Sequence, residues 1–376
     1  MYTRIHSNLE TAGSHHRLMK CNAAKMMRLM AIPVLVLVVF SFGCIKVKQA
    51  KETARLLKVE NAPQSDLMKE VNRFARVNSM RAKMDLKFED NSFAEFGNKE
   101  VYRNADGEVV VQRPGKIFLK VQVPIIKSDV AQMTSDGETF RVAILQDGGS
   151  GKYKKFVKGT NGADYSRLQK NLDTSQLVDG KPVKESVNAF ANLRPQHFTD
   201  AMLVRPTSDA DVYTQSSIFQ AEEDLSVEVK SPLRNIMRGY YLLDEYEKLT
   251  DGSLKINRRF WFDRVGGIRL ARQQIFDTAG EIDSDIIYGK EGNLTETANY
   301  TNLPLRVTVT RPKEHYAMTL TYQSPESVTI GNSFPDAAFV LQNSWNLEEV
   351  DLDKKLHEAN LDQPPGTSKT GATRFQ

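Results

Sequence analysis

The sequence predicts an α+β fold in which an antiparallel sheet has one dry and one wet face. Three observations predict it. Apolar and polar residues alternate strictly in several short runs, tight-turn signals separate those runs, and one amphipathic helix pattern precedes the first of them. The 376 residues suit one large domain or two ordinary ones, and an apolar fraction of 40% is enough for a sizeable core. With 51 basic against 47 acidic residues the net charge is only +4, so the chain is no polycation and nucleic acid is not implied. Its two cysteines, Cys21 and Cys44, both lie near the N-terminus. The remainder can therefore form no internal disulfide, cysteine nucleophile or cysteine metal site.

The first element is "RLMAIPVLVLVVFSFGCIKVK", 28 to 48. No residue from Leu29 to Ile45 is charged, a run of 17 at the short limit for a spanning helix. The apolar stretch from Ala31 to Phe42 has the length of a secretory h-region, with Lys20, Lys25 and Arg28 before it. Lys46, Lys48 and Lys51 follow as densely, so flanking charge sets no orientation. Residues 1–25 are long for an n-region, and translation is expected to start at Met26 or Met27. Ser41-Phe42-Gly43-Cys44 resembles the lipobox of bacterial lipoproteins, in which a small residue precedes the cysteine that receives diacylglycerol. Gly43 fits that pattern, whereas Ser41 and Phe42 depart from it. The resemblance implies a signal peptide over 1–43, a lipidated Cys44 and a membrane anchor; an uncleaved helix and a chance cysteine are the alternatives. At about 0.8 kcal/mol per buried CH₂, one long acyl chain contributes on the order of 12 kcal/mol gross, and two or three give stable anchoring.

Residues 44–64 read as the lipidated cysteine and a polar tether, with a helical stretch through "KETARLLKVE". Ser65 or Asp66 is expected to cap a helix whose Leu67, Val71, Phe74 and Val77 share one face. In "MRAKMDLKF", Met80, Ala82, Met84, Leu86 and Phe88 alternate with charged residues, which gives a strand with one apolar face. The pattern recurs at Ile117, Leu119, Val121 and Val123, at Phe140, Val142 and Ile144, at Leu305, Val307 and Val309, and at Met318, Leu320 and Tyr322. "NADGE", "RPG" and "SDGE" are turn signals between the early strands, which predict hairpins and an antiparallel sheet. Residues 146–193 interrupt the pattern as a polar insertion, and "RPQHFTDAML" reads as a short helix. A strand-rich second half runs through "SSIFQAEEDLS", "GYYLLDEYEK", "LKINRRFWFDR", "IRLARQQIFD" and "DSDIIYG". The main domain spans 65–344, and 345–376 reads as an acidic, flexible tail.

Little in the chain carries chemistry. His197, His315 and His357 stand far apart and in no metal spacing. "GGSGKYKKF" is a P-loop only superficially, because Tyr153 stands where Ser or Thr would hold magnesium. Acidic clusters such as Glu222-Glu223-Asp224, or Glu281 with Asp283 and Asp285, read as solvated turns. On "RRFWFDR", Phe260 and Phe262 would pack on one face, with Arg259, Trp261 and Asp263 on the other. No catalytic residue, metal or cofactor is assigned.

The order of "VNRFARVNSM", "MRAKMDLKFED", "EVVVQRPGKIFLKVQVP", "MTSDGETFRVAI", "RRFWFDR" with "LARQQIFD", "LPLRVTVTRP" and "FPDAAFVL" resembles the outer-membrane lipoprotein-sorting proteins, the LolA and LolB superfamily. The resemblance covers roughly 65 to 342. It implies an incomplete antiparallel β-barrel, a half-barrel curled around plugging α-helices, whose concave face takes the acyl chains of lipids or lipoproteins. The lining residues expected on apolar faces are Met84, Leu86, Phe88, Ile117, Leu119, Val121, Phe140 and Val142. The implied function is non-enzymatic carriage in the cell envelope, alongside envelope transport components. The alternative is an envelope sensor whose groove holds a protein segment. The body would sit in the periplasm, and Ile45, in place of the aspartate that retains lipoproteins at the inner membrane, leans toward the outer one. Intact-mass analysis of the membrane-extracted protein is expected to give a chain that starts at Cys44 and carries acyl mass. A thiol-bearing chain with its leader attached would contradict this.

Overall fold

The computed structural model describes residues 54–90, 100–146, 154–163, 165, 195–295 and 300–361. The chain divides into two units, Met1–Thr53 and Ala54–Gln376, and the described residues belong to the second. The leader, Cys44, residues 147–153 and most of the insertion over 146–193 lie outside the described residues, as does the chain beyond 361.

Helix α1 (Gln64–Ala75) buries Leu67, Val71 and Phe74, the face that the spacing predicts. It starts just before the expected cap: Pro63 takes the N-cap position with extended backbone, and Asp66 falls in the first turn, where its charge complements the helix dipole. Arg73 in the last turn donates to the carbonyls of Thr301 and Asn302 at 2.9 and 3.1 Å, which ties the helix to a distant loop. The stretch before it differs from the expected helix. Arg55–Leu56 forms strand β1, parallel to the later strand that contains Ile236 and Met237. The reason lies in the backbone hydrogen bonds, since Leu57 donates to Met237 and Glu60 to Arg264.

Six strands follow as one meander: β2 (Ser79–Asp90), β3 (Glu100–Gln112), β4 (Lys116–Gln122), β5 (Asp129–Ser135), β6 (Thr139–Ile144) and β7 (Lys155–Thr160). β3 runs extended through "NADGE", where the sequence predicts a turn, because Asp106 and Gly107 pair with β2 on one side and β4 on the other. Helix α2 (Pro195–Met202) comes next, where the sequence predicts it. A second meander runs through β8 (Val212–Glu223), β9 (Asn235–Lys248), β10 (Leu254–Asp263), β11 (Arg269–Phe276), β12 (Ile282–Gly292), β13 (Leu303–Arg311) and β14 (Tyr316–Tyr322). The two meanders are joined where β14 pairs antiparallel with β2, in the register Leu86↔Leu320 and Phe88↔Met318. The resulting sheet runs from β8 and β9 through β14 and β2 to β7, and among the described residues its ends are not paired with each other. It is an open α+β half-barrel, not a closed barrel. A short strand β15 (Thr329–Ile330) adds to the start of β2.

Residues after 344 do not form the expected tail throughout. Strand β16 (Glu348–Asp351) pairs in parallel with β7, and helix α3 (Leu352–Leu361) follows. Backbone pairing with β7 and the packing of Val350, Leu352 and Leu356 on the core account for the difference, and the surface charges are complementary. Lys155 pairs with Glu348, and Lys158 lies 3.5 Å from Asp351 and 3.7 Å from Glu349. The acidic composition that reads as a solvated tail is matched to the lysines of the last meander strand.

The core lies on one face of the sheet. Gly107 shows how closely it is packed: a Cβ there would stand 2.8 Å from a Leu86 methyl, so the glycine leaves the space that Leu86 fills. Leu86 is fully buried opposite Leu320. Leu86→Ala is expected to lower stability by about 2–5 kcal/mol, read as a fall in the urea midpoint at unchanged slope.

Candidate functional site

The dry face is built row by row from cross-strand partners. One row passes from Ala82 through Val109, Leu119, Met133 and Val142 to Val157. The next runs from Met80 through Val111, Ile117, Ser135 and Phe140 to Gly159. A third links Met84, Gly107, Val121, Ala131 and Ile144. Alternate residues of an extended chain point the same way, so these rows form a continuous apolar surface. All eight residues predicted to line the groove, namely Met84, Leu86, Phe88, Ile117, Leu119, Val121, Phe140 and Val142, stand on it, each buried to 7% exposure or less.

The surface extends further than the sequence indicated. Across the β2–β14 junction it continues as Phe88, Met318, Val309, Ile286, Gln273, Phe260 and Leu243, each paired with the next. The alternation at Val307, Val309, Met318 and Leu320 is a signal that could have placed these residues beside the first eight. Five methionines (Met80, Met84, Met133, Met202 and Met318) lie in this core. Their unbranched, polarizable side chains adapt to irregular surfaces.

Two helices cover the face. α1 applies Leu67, Val71 and Phe74, with the Phe74 ring 5.4 Å from that of Tyr288. α2 applies Phe198, Ala201 and Met202 to the region of β3, β4, β5 and β13. His197 is a packing residue, as its isolation in the sequence implied: it is buried, with Nδ1 2.6 Å from the Tyr316 hydroxyl. Hydrogen bonds to backbone carbonyls hold the segment after α2. Arg113 donates to the carbonyls of Ala75, Leu203 and Val204, at 2.6 Å for the last, and Arg258 donates to those of Arg205 and Pro206 at 2.8 and 3.1 Å. Asn72 and Thr207 exchange two bonds, which fasten the same segment to α1.

The second half of the face carries a polar strip that sequence reasoning missed. Arg258 forms a bidentate ion pair with Glu245, both side chains nearly inaccessible, and Tyr213 donates to the same carboxylate at 2.8 Å. The parity that buries Phe260 and Phe262 also turns Arg258 inward, and the pair meets because Arg258 and Glu245 are register partners. Arg311 is likewise buried and donates to Asp283, Ser284 and Glu314. Asp283 and Asp285, read as turn residues, instead lie on β12, where arginines pair with them: Arg311 and Arg272. The Glu222-Glu223-Asp224 cluster is paired too, with Arg238, Arg234 and Arg55. On the wet side, Arg259 binds Asp244 and Arg272 stacks 4.9 Å over Trp261, which accounts for the aromatic and arginine mix of "RRFWFDR" as packing.

Among the described residues, the buried polar atoms without a protein partner include the Tyr288 hydroxyl, the Gln273 side-chain carbonyl and the Nε atoms of Arg113 and Arg311. Burial pushes the Tyr288 phenol far above its ordinary range. A cavity of about 10 Å³, room for roughly one water, lies between α1 and the strands, lined by Glu70, Arg73, Phe74, Arg269 and Tyr288 among others. Among the described residues, no three His, Cys, Asp or Glu side chains are grouped to hold a metal ion. No helix among them is long and apolar enough to cross a membrane.

No family model and no curated protein matches the sequence. Among solved structures, the chain is similar to a LolA superfamily protein from Nitrosomonas europaea, at 9% identity and a TM-score of 0.38, over 75% of this chain and 99% of that one. It is similar to a putative outer membrane lipoprotein-sorting protein domain from Vibrio parahaemolyticus, at 7% identity and a TM-score of 0.36, over 73% of this chain and 94% of that one. A third similar structure is a DUF1329 family protein from Desulfovibrio piger, at 10% identity and a TM-score of 0.35, over 73% of this chain and 95% of that one.

Asp200 on α2 is half-buried over the polar strip, and desolvation raises its carboxyl above the ordinary 3.8 against the pull of Arg205 and Arg311. A carboxyl whose pKa is raised in the folded state binds more protons there than in the unfolded chain, so its contribution to stability falls as pH rises through that interval. Asp200→Asn is therefore expected to raise the urea midpoint at neutral pH and to lose that advantage at mildly acidic pH. Equal effects at both would contradict the assignment.

Proposed function

We propose that this chain is a lipid-anchored, non-enzymatic binding protein of the cell envelope that takes acyl chains of lipids or lipoproteins against the dry face of its half-barrel. The observation that carries this reading is the cover of that face. A continuous apolar surface on an unclosed sheet is sheltered in part by α2, a helix of eight residues. Such a helix is too short to persist alone and owes its form to the contacts it makes. When it swings aside, the surface it covers on β4, with Ile117, Leu119 and Val121, becomes the wall of a trough that Met84, Leu86, Phe88, Phe140 and Val142 extend on the neighbouring strands.

An acyl chain laid in that trough would replace one apolar cover by another. Each buried CH₂ contributes about 0.8 kcal/mol, which offsets the loss of helix contacts. Uptake and release then stay near balance, as a carrier requires. The methionines of the face let one surface pack against either helix or hydrocarbon. Sorting or transfer of lipoproteins, with Cys44 as the anchor and the body in the periplasm, on the outer membrane, is the setting that fits such exchange.

A second reading has its own observation. Strand β8, of twelve residues, pairs with β9 on one side, and among the described residues no strand pairs with it on the other. Its outer backbone groups can accept an added strand from a protein partner, as in an envelope sensor.

Photoactivatable fatty acid added to the full chain in nanodiscs is expected to label β2, β4 and β6 saturably, with competition by unlabelled lipid. Absence of saturable labelling would remove the acyl reading. Recovery of one defined protein cross-linked to β8, without lipid labelling, would favour the second.

A further inference from the structure

Three of the most exposed large apolar residues fall in one loop. Leu225, Val229 and Leu233, on the connection between β8 and β9, are 80%, 79% and 56% exposed. Leu56 on β1, 65% exposed, lies at the same edge of the sheet, because β1 pairs with the start of β9 through Arg55↔Ile236 and Leu56↔Met237. The loop is built, not loose. Asp224 N–H donates to the Arg234 carbonyl at 2.7 Å across its base, Arg234 donates to the Val227 carbonyl at 3.0 Å, and Ser231 caps the turn over Pro232–Arg234. Its base charges are matched, Asp224 with Arg55 and Glu223 with Arg234. Glu228 and Lys230, one of each sign, are the exposed charges near its tip. Polar groups are thus satisfied within the loop while leucine and valine side chains point out, a surface of almost no net charge.

The occupant is decided by where the chain leads. The residues before Ala54 join the described chain at β1, on this same edge, and they carry the uncharged stretch from Leu29 to Ile45. The nine residues from 45 to 53 span roughly 30 Å at full extension, which bounds the distance between this edge and a bilayer that holds that stretch or a lipid on Cys44. A tether that short raises the effective concentration of any weak membrane contact beside it. We propose that the β8–β9 loop, with Leu56, is a membrane-apposed tip whose Leu225, Val229 and Leu233 enter the interfacial region of a phospholipid leaflet. The proposal rests on the N-terminal tethering in the functional reading above, not on acyl uptake by the trough.

The unbroken antiparallel alternation from β8 to β4 supplies an internal control. It puts the β4–β5 turn, with Ile125 and Ile126 at 93% and 70% exposure, at the opposite edge of the sheet. The test places one tryptophan at a time in the full chain, reconstituted in phosphatidylcholine vesicles with brominated acyl chains. Val229→Trp and Leu233→Trp are expected to show added emission that is blue-shifted and quenched roughly twofold, consistent with interfacial depth. Ile126→Trp is expected to add emission that is neither blue-shifted nor quenched beyond the background of Trp261 and Trp345. Unquenched emission from Val229→Trp, or equal quenching from Ile126→Trp, would overturn the proposal. A blue shift that grows with protein concentration in unbrominated vesicles would assign the loop to a second copy and overturn it likewise. Fatty-acid labelling of the same samples separates the two ideas: labelling without quenching removes the tip alone, and quenching without labelling removes the trough alone.

Discussion

An unclosed sheet with one apolar face cannot stand bare in water, and the need to cover that face shapes the rest of this protein. A closed barrel of few strands fills its interior with its own side chains and has no edges. Here the ends of the sheet do not meet, so α1 and α2 supply the side chains that the missing strands would have contributed. The cost of covering with helices is that their backbone ends and connecting segments come close to the sheet. Arg113 and Arg258 answer this by donating to the carbonyls of Val204, Arg205 and Pro206 in the segment after α2.

The two halves of the face divide the work. From β2 to β6 the surface is almost wholly hydrocarbon and sulfur, which favours burial without direction. From β9 to β13 the same surface carries Arg258, Glu245, Arg311 and Gln273, groups with strict geometric demands. Buried ion pairs contribute little net stability, because desolvation offsets attraction, but they fix which partners meet. The apolar half therefore constrains its cover mainly through burial, while Arg258 from the polar half, with Arg113 from the β3–β4 turn, holds the segment after α2 by directed bonds.

Much of the fold was legible in the sequence because the period of two is so regular. The alternation at Met84, Leu86 and Phe88, and at Ile117, Leu119 and Val121, placed the apolar side chains on one face before any coordinates did. Helix α1 followed from Leu67, Val71 and Phe74 in the same way. Features that depend on a distant partner were not legible. Arg258 looks like any other arginine among aromatics until Glu245 stands opposite it, and Glu348–Asp351 looks like a tail until the backbone of β7 pairs with it. The candidate site divides along the same line: its apolar wall could be read locally, whereas its polar strip and the grip on the segment after α2 could not.

The junction of β2 with β14 has a consequence for how the chain is made. Leu86 waits for Leu320, which is synthesised long after it, so the N-terminal meander has a raw flank until nearly the whole domain has emerged. Non-local pairing of this kind is slow, and exposed strand flanks invite wrong partners in the meantime. Whatever the order in which the rest of the chain folds, the outer flank of β2 stays a free template until the C-terminal meander arrives to close it.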